Sequence, residues 1–253
     1  MASSKLDYSA LDKFNFERKP VGVKFMITKP EGIKHIDKEL NMCEMLKEAQ
    51  DNDAFYVAPD DWVCVGVEQM ILGMEDPEPV LVSGIFGGEE GLFKGDNACR
   101  AMYDYLPRMQ KGSVRYVAFA PLDKMTFYPD VLIMTATLPQ AQTLVRSINY
   151  STGRPFVSKL TPVVACSWIY IYPVISGELN YFVTGLGLGV QAMNIFPPGL
   201  FVISVPYQLI PTMLDNIKDM NYSPELAPGP GGVAHRKRVN KFKEDLKKKI
   251  EQK

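Results

Sequence analysis

The sequence predicts an α+β fold, in which one domain with a mixed β-sheet flanked by helices is followed by a basic C-terminal helix. Two observations lead to this prediction. Strand-like and helix-like patterns alternate irregularly along the chain, without the regular βαβ spacing of a Rossmann sheet. A chain of 253 residues, 46% hydrophobic and 23% charged, also has the ordinary balance of a globular protein and can bury a sizeable core.

The first half of the chain is predicted to contain four helices and two strands. Pro59 followed by Asp60 as N-cap predicts the start of a helix that runs to residue 71. The other predicted elements are an opening amphipathic helix over 6–14, strands over 21–27 and 80–86, and helices over 38–50 and 97–106.

The second half is predicted to be richer in strands. Strands are expected over 114–120, 131–135, 156–160, 163–172 and 201–205, and helices over 139–149 and 206–220. The longest apolar stretch, 163–175, is too short to span a bilayer and contains Pro173. It therefore predicts buried strand, and no transmembrane segment is expected.

Charge is distributed unevenly along the chain. Residues 236–253 carry nine Lys/Arg and three Asp/Glu, whereas the preceding residues carry 19 and 26. An acidic body with a basic tail argues against nucleic-acid binding by the body and places any electrostatic partner at the tail.

The basic tail has the periodicity of an amphipathic helix. Val239, Phe242, Leu246 and Ile250 fall on one helical stripe, with basic residues around it. We expect this helix to dock on protein, in the first place on a neighbouring subunit of a homo-oligomer. The predicted organisation is a single α+β domain over 1–220, a Pro/Gly linker over 221–232 and the basic helix over 233–253.

The cysteines lie far apart in sequence, at Cys43, Cys64, Cys99 and Cys166. No apolar run follows Met1, so no secretory signal is expected and the predicted location is cytoplasmic. In that compartment cysteines are expected as thiols or metal ligands rather than as disulfides.

Two familiar kinds of site are disfavoured by residue type and spacing. The only histidines are His35 and His235, too few for a His-rich zinc site, and nothing positions His35 beside a nucleophile. The run Gly185-Leu-Gly187-Leu-Gly189 lacks the spacing of a dinucleotide-binding loop and predicts a turn before residues 192–194.

The segment 116–153 contains a strand ending, a turn that opens a second strand, and a helix start. The motifs at these places are Ala120-Pro121-Leu122, Pro129-Asp130-Val131 and Pro139-Gln140-Ala141. With them the chain resembles, over roughly residues 8–217, the family catalogued as domain of unknown function 169. The resemblance implies a single cytoplasmic domain, common in anaerobic bacteria and archaea, without an agreed reaction.

The resemblance also singles out three of the cysteines. It implies that Cys43, Cys64 and Cys166 are family positions, and Cys99 is expected to lie outside their cluster. Three thiolates from separate elements can hold a zinc ion or an iron–sulfur cluster. The alternatives are a reactive or ligand-contacting thiol and plain core packing, since free cysteine is often buried.

The function predicted first is that of a cofactor- or small-ligand-binding protein with an apolar pocket near these cysteines. A tetrapyrrole or an iron–sulfur cluster is the expected occupant, and Trp168 is a predicted cofactor contact. Tyr170, Tyr172 and Tyr181 alternate with Trp168 along an apolar region and extend the predicted pocket wall. The alternatives are an enzyme that uses a thiol or a thiolate-bound metal, and an assembly partner that docks through the tail.

Overall fold

The computed structural model describes residues 6–64, 67–220 and 232–251. The chain divides into two compact units, Met1–Tyr222 and Ser223–Lys253. In the described residues, the first unit holds a β-sheet with its helices and the second holds a single helix.

The described residues include seven strands, which form one sheet. They are β1 (Val21–Met26), β2 (Lys34–His35), β3 (Phe55–Val57), β4 (Tyr116–Pro121), β5 (Val131–Ala136), β6 (Asn180–Val183) and β7 (Phe201–Pro206). Their order in the sheet is β2-β3-β4-β1-β5-β7-β6. β2 and β3 are parallel and the other neighbours are antiparallel. The sheet is therefore mixed, and the predicted α+β class is confirmed.

Ten α-helices occur in the described residues. They are α1 (Met42–Asp51), α2 (Val67–Ile71), α3 (Pro79–Val82), α4 (Ile85–Glu89), α5 (Asp96–Tyr105), α6 (Leu138–Asn149), α7 (Tyr172–Ser176), α8 (Leu188–Ala192), α9 (Ile210–Asp219) and α10 (Gly232–Glu251). Short 3-10 turns occur at Ser9–Phe14, Pro59–Asp61, Leu122–Lys124 and Tyr207–Leu209. Of these elements, α1, α5, α6 and α9 match predicted helices within a few residues, and β1, β4, β5 and β7 match predicted strands.

The interior strand β5, which lies between β1 and β7, is buried on both faces. Successive side chains of a strand point to opposite faces, so Val131 and Ile133 join one core while Leu132 and Met134 join the other. The first core also contains side chains of α1, α2 and α5. The second contains those of α6, α9 and the opening 3-10 turn. The candidate site described below lies within the first core.

Residues 80–86 form helices α3 and α4, so the predicted strand there is wrong. Pro79 lies in the first turn of α3, where its missing amide hydrogen costs nothing. Gly84, between the two helices, has φ of 86°, and a Cβ there would collide with the backbone of Asp96 in α5. An apolar run this short does not distinguish helix from strand, and Gly84 is what permits the helical packing.

Residues 165–176 form one continuous helix, so the predicted strand over 163–172 is also wrong. The turn Ser167–Ile171 is π-helical, with the Tyr172 amide donating to the Ser167 carbonyl. Pro173 follows at once and has no amide hydrogen to donate, which interrupts the normal α-helical ladder at this point. Residues 156–160, also predicted as strand, have no regular secondary structure. The name "165–176 helix" is used below for this element, which ends in α7.

The predicted helix with Asp60 as its N-cap is shorter than expected. Pro59–Asp61 is a single 3-10 turn, closed by the Ala58 amide donating to Asp61 Oδ2 at 2.6 Å. In the described residues, regular helix resumes only in α2. The opening helix likewise proves to be 3-10, with Ala10, Leu11 and Phe14 buried as their spacing predicts. Strands β2, β3 and β6 are too short to show a pattern, and none of them was predicted.

The basic tail forms helix α10, and its apolar stripe is accessible. Phe242, Leu246 and Ile250 are 62%, 40% and 73% exposed. Residues 221–231 of the predicted linker, and residues 252–253, lie outside the described part of the chain. None of the described helices is both long and apolar enough to cross a membrane.

Candidate functional site

A cavity of about 310 Å³ lies on the first-core side of the sheet. Its walls come from the start of α1, the segment that enters α2, helices α2 to α5, the beginning of the 165–176 helix, and α8. Most of the wall is aliphatic, aromatic or sulfur-bearing, as is typical of pockets that bind small organic molecules.

All four cysteines border this cavity. Cys43 comes from α1, Cys64 from the segment before α2, Cys99 from α5 and Cys166 from the 165–176 helix. The structure therefore brings Cys43, Cys64 and Cys166 to one cavity from three separate elements. Cys99 also borders the cavity, with its thiol against α4, and the expectation that it lies outside a cluster of the other three cysteines stays a prediction. A Cβ on Gly87 would come within 2.5 Å of Cys99 Sγ, so only glycine at that position leaves the space.

A capping box fixes the start of α1 at the cavity wall. Asn41 Oδ1 accepts hydrogen bonds from the amides of Cys43 and Glu44, both at 3.0 Å, and Glu44 Oε2 accepts one from the Asn41 amide at 3.1 Å. The side-chain nitrogen of Asn41, Nδ2, donates to Glu44 and to Met193 Sδ. Asn41 is thus fully engaged by its own helix and by Met193, and Cys43 is held in the first turn.

The start of the 165–176 helix contains a strained residue. Val164 has φ of 58°, in a region that β-branched residues rarely adopt. The side chain of Val164 borders the cavity, and the next turn places Cys166 on the same wall. Strained backbone of this kind clusters at functional sites, where the surrounding structure holds it.

Glu68 is the most unusual residue of the wall. It is 2% exposed, and its Oε1 accepts a hydrogen bond from the Met42 amide. Its Oε2 is buried and has no hydrogen-bond partner in the described part of the chain. Burial raises the pKa of Glu68 to about 7, although hydrogen bonds from the Met42 and Cys64 backbone oppose the shift. A buried carboxylate with a free oxygen is costly unless it is paired.

Sequence reasoning missed Glu68, although a signal for it exists. Cys64, Val67, Glu68 and Ile71 follow the i, i+3, i+4, i+7 spacing of one helical face. A single glutamate on an otherwise apolar stripe indicates either that the helix prediction is wrong or that the helix buries a functional carboxylate. The structure shows that Glu68 is buried and is one of the residues that border the cavity.

The environment of the cavity keeps its thiols protonated. Burial, followed by the nearby Glu68 carboxylate, raises the pKa of Cys43 well above its usual range and that of Cys64 to about 12. Burial and then Cys43 raise the pKa of Cys166 strongly. Because the thiolate is the nucleophile, a raised pKa makes these thiols poor nucleophiles at neutral pH.

No group of three or more His, Cys, Asp or Glu in the described residues is arranged so that it could hold a metal ion. The assignment of Cys43, Cys64 and Cys166 as metal ligands therefore stays a prediction.

Trp168 and its aromatic neighbours form part of the core behind the cavity. Trp168 donates from Nε1 to Thr161 Oγ1 at 2.7 Å and lies 5.7 Å from the Tyr172 ring. The Tyr170 hydroxyl donates to the Met42 carbonyl at 2.9 Å. None of these three rings is part of the cavity wall, so the geometry does not favour the predicted contact of Trp168 with a cofactor, which stays a prediction.

The glycine run at 185–189 forms the predicted turn and contributes to the cavity rim. Gly187 precedes α8, and the exposed residues Leu188, Gly189 and Met193 line the mouth. A Cβ on Gly189 would make only an ordinary contact, 3.6 Å from Met193 Cε. The backbone at this point of the rim therefore accepts a Cβ without a clash.

These observations define a mixed-sheet α+β protein with an apolar cavity bordered by four cysteines and one buried glutamate. The chain belongs to the family of domain of unknown function 169, described as "Uncharacterised ArCR", whose model matches residues 11–216. The family predicted from the motifs at 120–141 is thereby confirmed.

A curated relative comes from the archaeon Methanocaldococcus jannaschii. It is named Uncharacterized protein MJ0308 and is 29% identical to this chain over 128 residues. The match covers 50% of this chain and 54% of the relative, so the chain spans about half the length of the relative it matches. No solved structure matches the chain.

Proposed function

We propose that this protein binds a small, mostly apolar molecule in the thiol-bordered cavity. The observation that carries the proposal is a cavity of about 310 Å³ whose apolar wall contains the half-satisfied carboxylate of Glu68. Ligand pockets typically combine an apolar wall with a few converging polar groups and occupy roughly 300–1,000 Å³. A cytoplasmic location would keep the four thiols reduced, as this site requires.

Three other candidate functions rank below this one. A volume at the lower end of the usual range favours a small molecule over a tetrapyrrole macrocycle. No group of three or more His, Cys, Asp or Glu in the described residues is arranged to hold a metal ion, so the geometry does not favour an iron–sulfur cluster at Cys43, Cys64 and Cys166. Burial raises the pKa of these three thiols, which argues against an enzyme that uses one of them as a nucleophile at neutral pH.

The cavity can be tested by filling its mouth. In Gly189→Phe a large ring is added on the rim, at a position where a Cβ makes only an ordinary contact, and we expect it to weaken binding of 2-phenylethanol by about tenfold or more. Gln191→Phe is the matched control, since Gln191 is an exposed residue of α8 that is not part of the cavity wall. Isothermal titration calorimetry on the full chain measures both variants and the wild type.

The comparison of the three proteins decides the proposal. Binding by the wild type and by Gln191→Phe, with loss in Gly189→Phe, supports the cavity as the binding site. Equal affinities in all three would place the binding elsewhere, and a wild type that binds none of 2-phenylethanol, phenethylamine and phenylacetate would overturn the proposal.

A second candidate function, assembly, is supported by α10. The helix presents the exposed apolar residues Phe242, Leu246 and Ile250 on a strongly basic background. The residues before 236 carry 19 basic and 26 acidic side chains, so their charge complements the tail. We propose that α10 docks on the acidic body of a second copy of this chain, an exchange that two identical subunits can make reciprocally.

Deleting residues 233–253 should convert a dimer into a monomer. The deletion removes both the apolar stripe and the positive charge that complement the partner. Size-exclusion chromatography with light scattering, at low and at moderate salt, measures the mass. A truncated chain that keeps the mass of the full chain would contradict docking on a second copy. If the full chain is already a monomer and the deletion lowers its melting temperature, docking on a second copy is contradicted too. That result would point to docking within one chain.

A further inference from the structure

The cavity wall contains acidic groups and no basic side chain. Its ionisable residues are Glu68, Tyr103 and the four cysteines, and no Lys, Arg or His is among the described residues that form it. Burial raises the pKa of both Glu68 and Cys64; the charge of Glu68 raises that of Cys64 further, and the neighbouring charge of Glu44 adds to both shifts. A ligand with a carboxylate or phosphate would therefore enter a region of negative potential without a counterion.

The hydrogen-bonding groups of the wall are unequally available. The side-chain oxygen of Asn41 accepts hydrogen bonds from two backbone amides of α1, and its side-chain nitrogen donates to Glu44 and Met193. Glu68 Oε1 accepts from the Met42 amide. Glu68 Oε2 is the buried side-chain oxygen of the described wall that has no partner, and it can only accept when the carboxylate is ionised.

We propose that the ligand of this cavity is an amine with an apolar body, whose ammonium group donates a hydrogen bond to Glu68 Oε2. The proposal rests on the proposed function and names the chemical class of its ligand. An ammonium group supplies both the donor and the positive charge that the site lacks. A charge-assisted hydrogen bond of this kind is stronger than one from a neutral alcohol, and it compensates the buried carboxylate.

The aromatic and aliphatic wall accommodates the remainder of such a ligand. Phe86 and Tyr103 contribute rings, while Val67, Leu81 and Val190 contribute aliphatic surface. Burial of the ligand's apolar body against this wall provides affinity, and the ammonium group provides orientation.

Three probes of nearly the same size test the proposal. They are phenethylamine, 2-phenylethanol and phenylacetate, titrated calorimetrically at pH 8 into the full chain. We expect phenethylamine to bind about tenfold tighter than 2-phenylethanol, and phenylacetate to bind more weakly than either. In Glu68→Gln the preference for the amine should disappear, while binding of 2-phenylethanol is retained. Glu89→Gln, an exposed position on α4, is the matched control and should behave as the wild type.

Each outcome bears on one of the two proposals. If 2-phenylethanol binds but phenethylamine binds no tighter, the proposal that the ligand is an amine is overturned and the small-ligand function stands. If the preference for the amine survives in Glu68→Gln, the role of Glu68 is overturned. If none of the three probes binds the wild type, the small-ligand function itself fails.

Discussion

Glu68→Gln should increase the free energy of unfolding by about 3 kcal/mol at pH 8, since a pKa raised from 4.5 to about 7 corresponds to roughly 1.4 kcal/mol per unit. The cause is the burial of the carboxylate, whose ionised form is poorly solvated in the folded chain. Glutamine has nearly the same shape and carries no charge. Its side-chain oxygen can still accept the hydrogen bond from the Met42 amide.

The pH dependence has a definite sign. Between pH 4.5 and about 7 the folded chain holds a proton on Glu68 that the unfolded chain has released, so wild-type stability falls as pH rises through this window. Above about pH 7 both states are ionised and the penalty is constant. Because the neutral glutamine of the variant imitates the protonated acid, its advantage should vanish below about pH 4.5 and reach its full size above about pH 7.

Urea unfolding at pH 5, 6, 7 and 8 measures this difference. Glu89→Gln, at an exposed position, serves as the control and should leave the free energy of unfolding nearly unchanged across the series. A Glu68→Gln variant that is less stable than the wild type at pH 8, or whose advantage does not change with pH, would show that the carboxylate is paired or solvated.

Ile133→Ala should lower the free energy of unfolding by about 2–5 kcal/mol, the usual cost of a large-to-small change in a packed core. Ile133 is 0% exposed and lies in β5, between Val21 of β1 and Ser204 of β7. Because both neighbouring strands hold β5 in place, the structure has little freedom to collapse into the space that is left.

Denaturant titration with Ile27→Ala as control checks this expectation. Ile27 follows β1 and is 64% exposed, so its truncation should change stability by no more than about 0.5 kcal/mol. Equal effects of the two substitutions would contradict the assignment of β5 to the interior of the sheet.

The parts of the fold that the sequence predicts well are those with long, regular patterns. Strands β4 and β5 and helix α6 follow one another around the motifs at 120–141, and their apolar periodicity matches a single structure. The helices at 79–89 and 165–176 were predicted as strands because their apolar runs have no clear period. What decides those segments is tertiary packing: close approach at Gly84, and a π-helical turn before Pro173.

The candidate site was predicted in part. Cys43, Cys64 and Cys166 do border one cavity. Their sequence spacing alone does not indicate this, whereas the family resemblance does. Cys99 reaches the cavity wall where α5 packs against α4. The predicted strand over 80–86 left no helix α4 for that contact. Glu68 was overlooked because a surface role is the usual one for glutamate, and only the fold shows that this residue is buried in the wall of an apolar cavity.

The most direct test of the central claim, that the cavity beside Glu68 binds a small ligand, is a crystal structure of the full chain soaked with phenethylamine. The predicted result is a phenyl ring inside the cavity, with its ammonium nitrogen about 3 Å from Glu68 Oε2. An empty cavity in crystals whose protein binds the amine in solution, or an amine bound only at exposed carboxylates, would contradict the account.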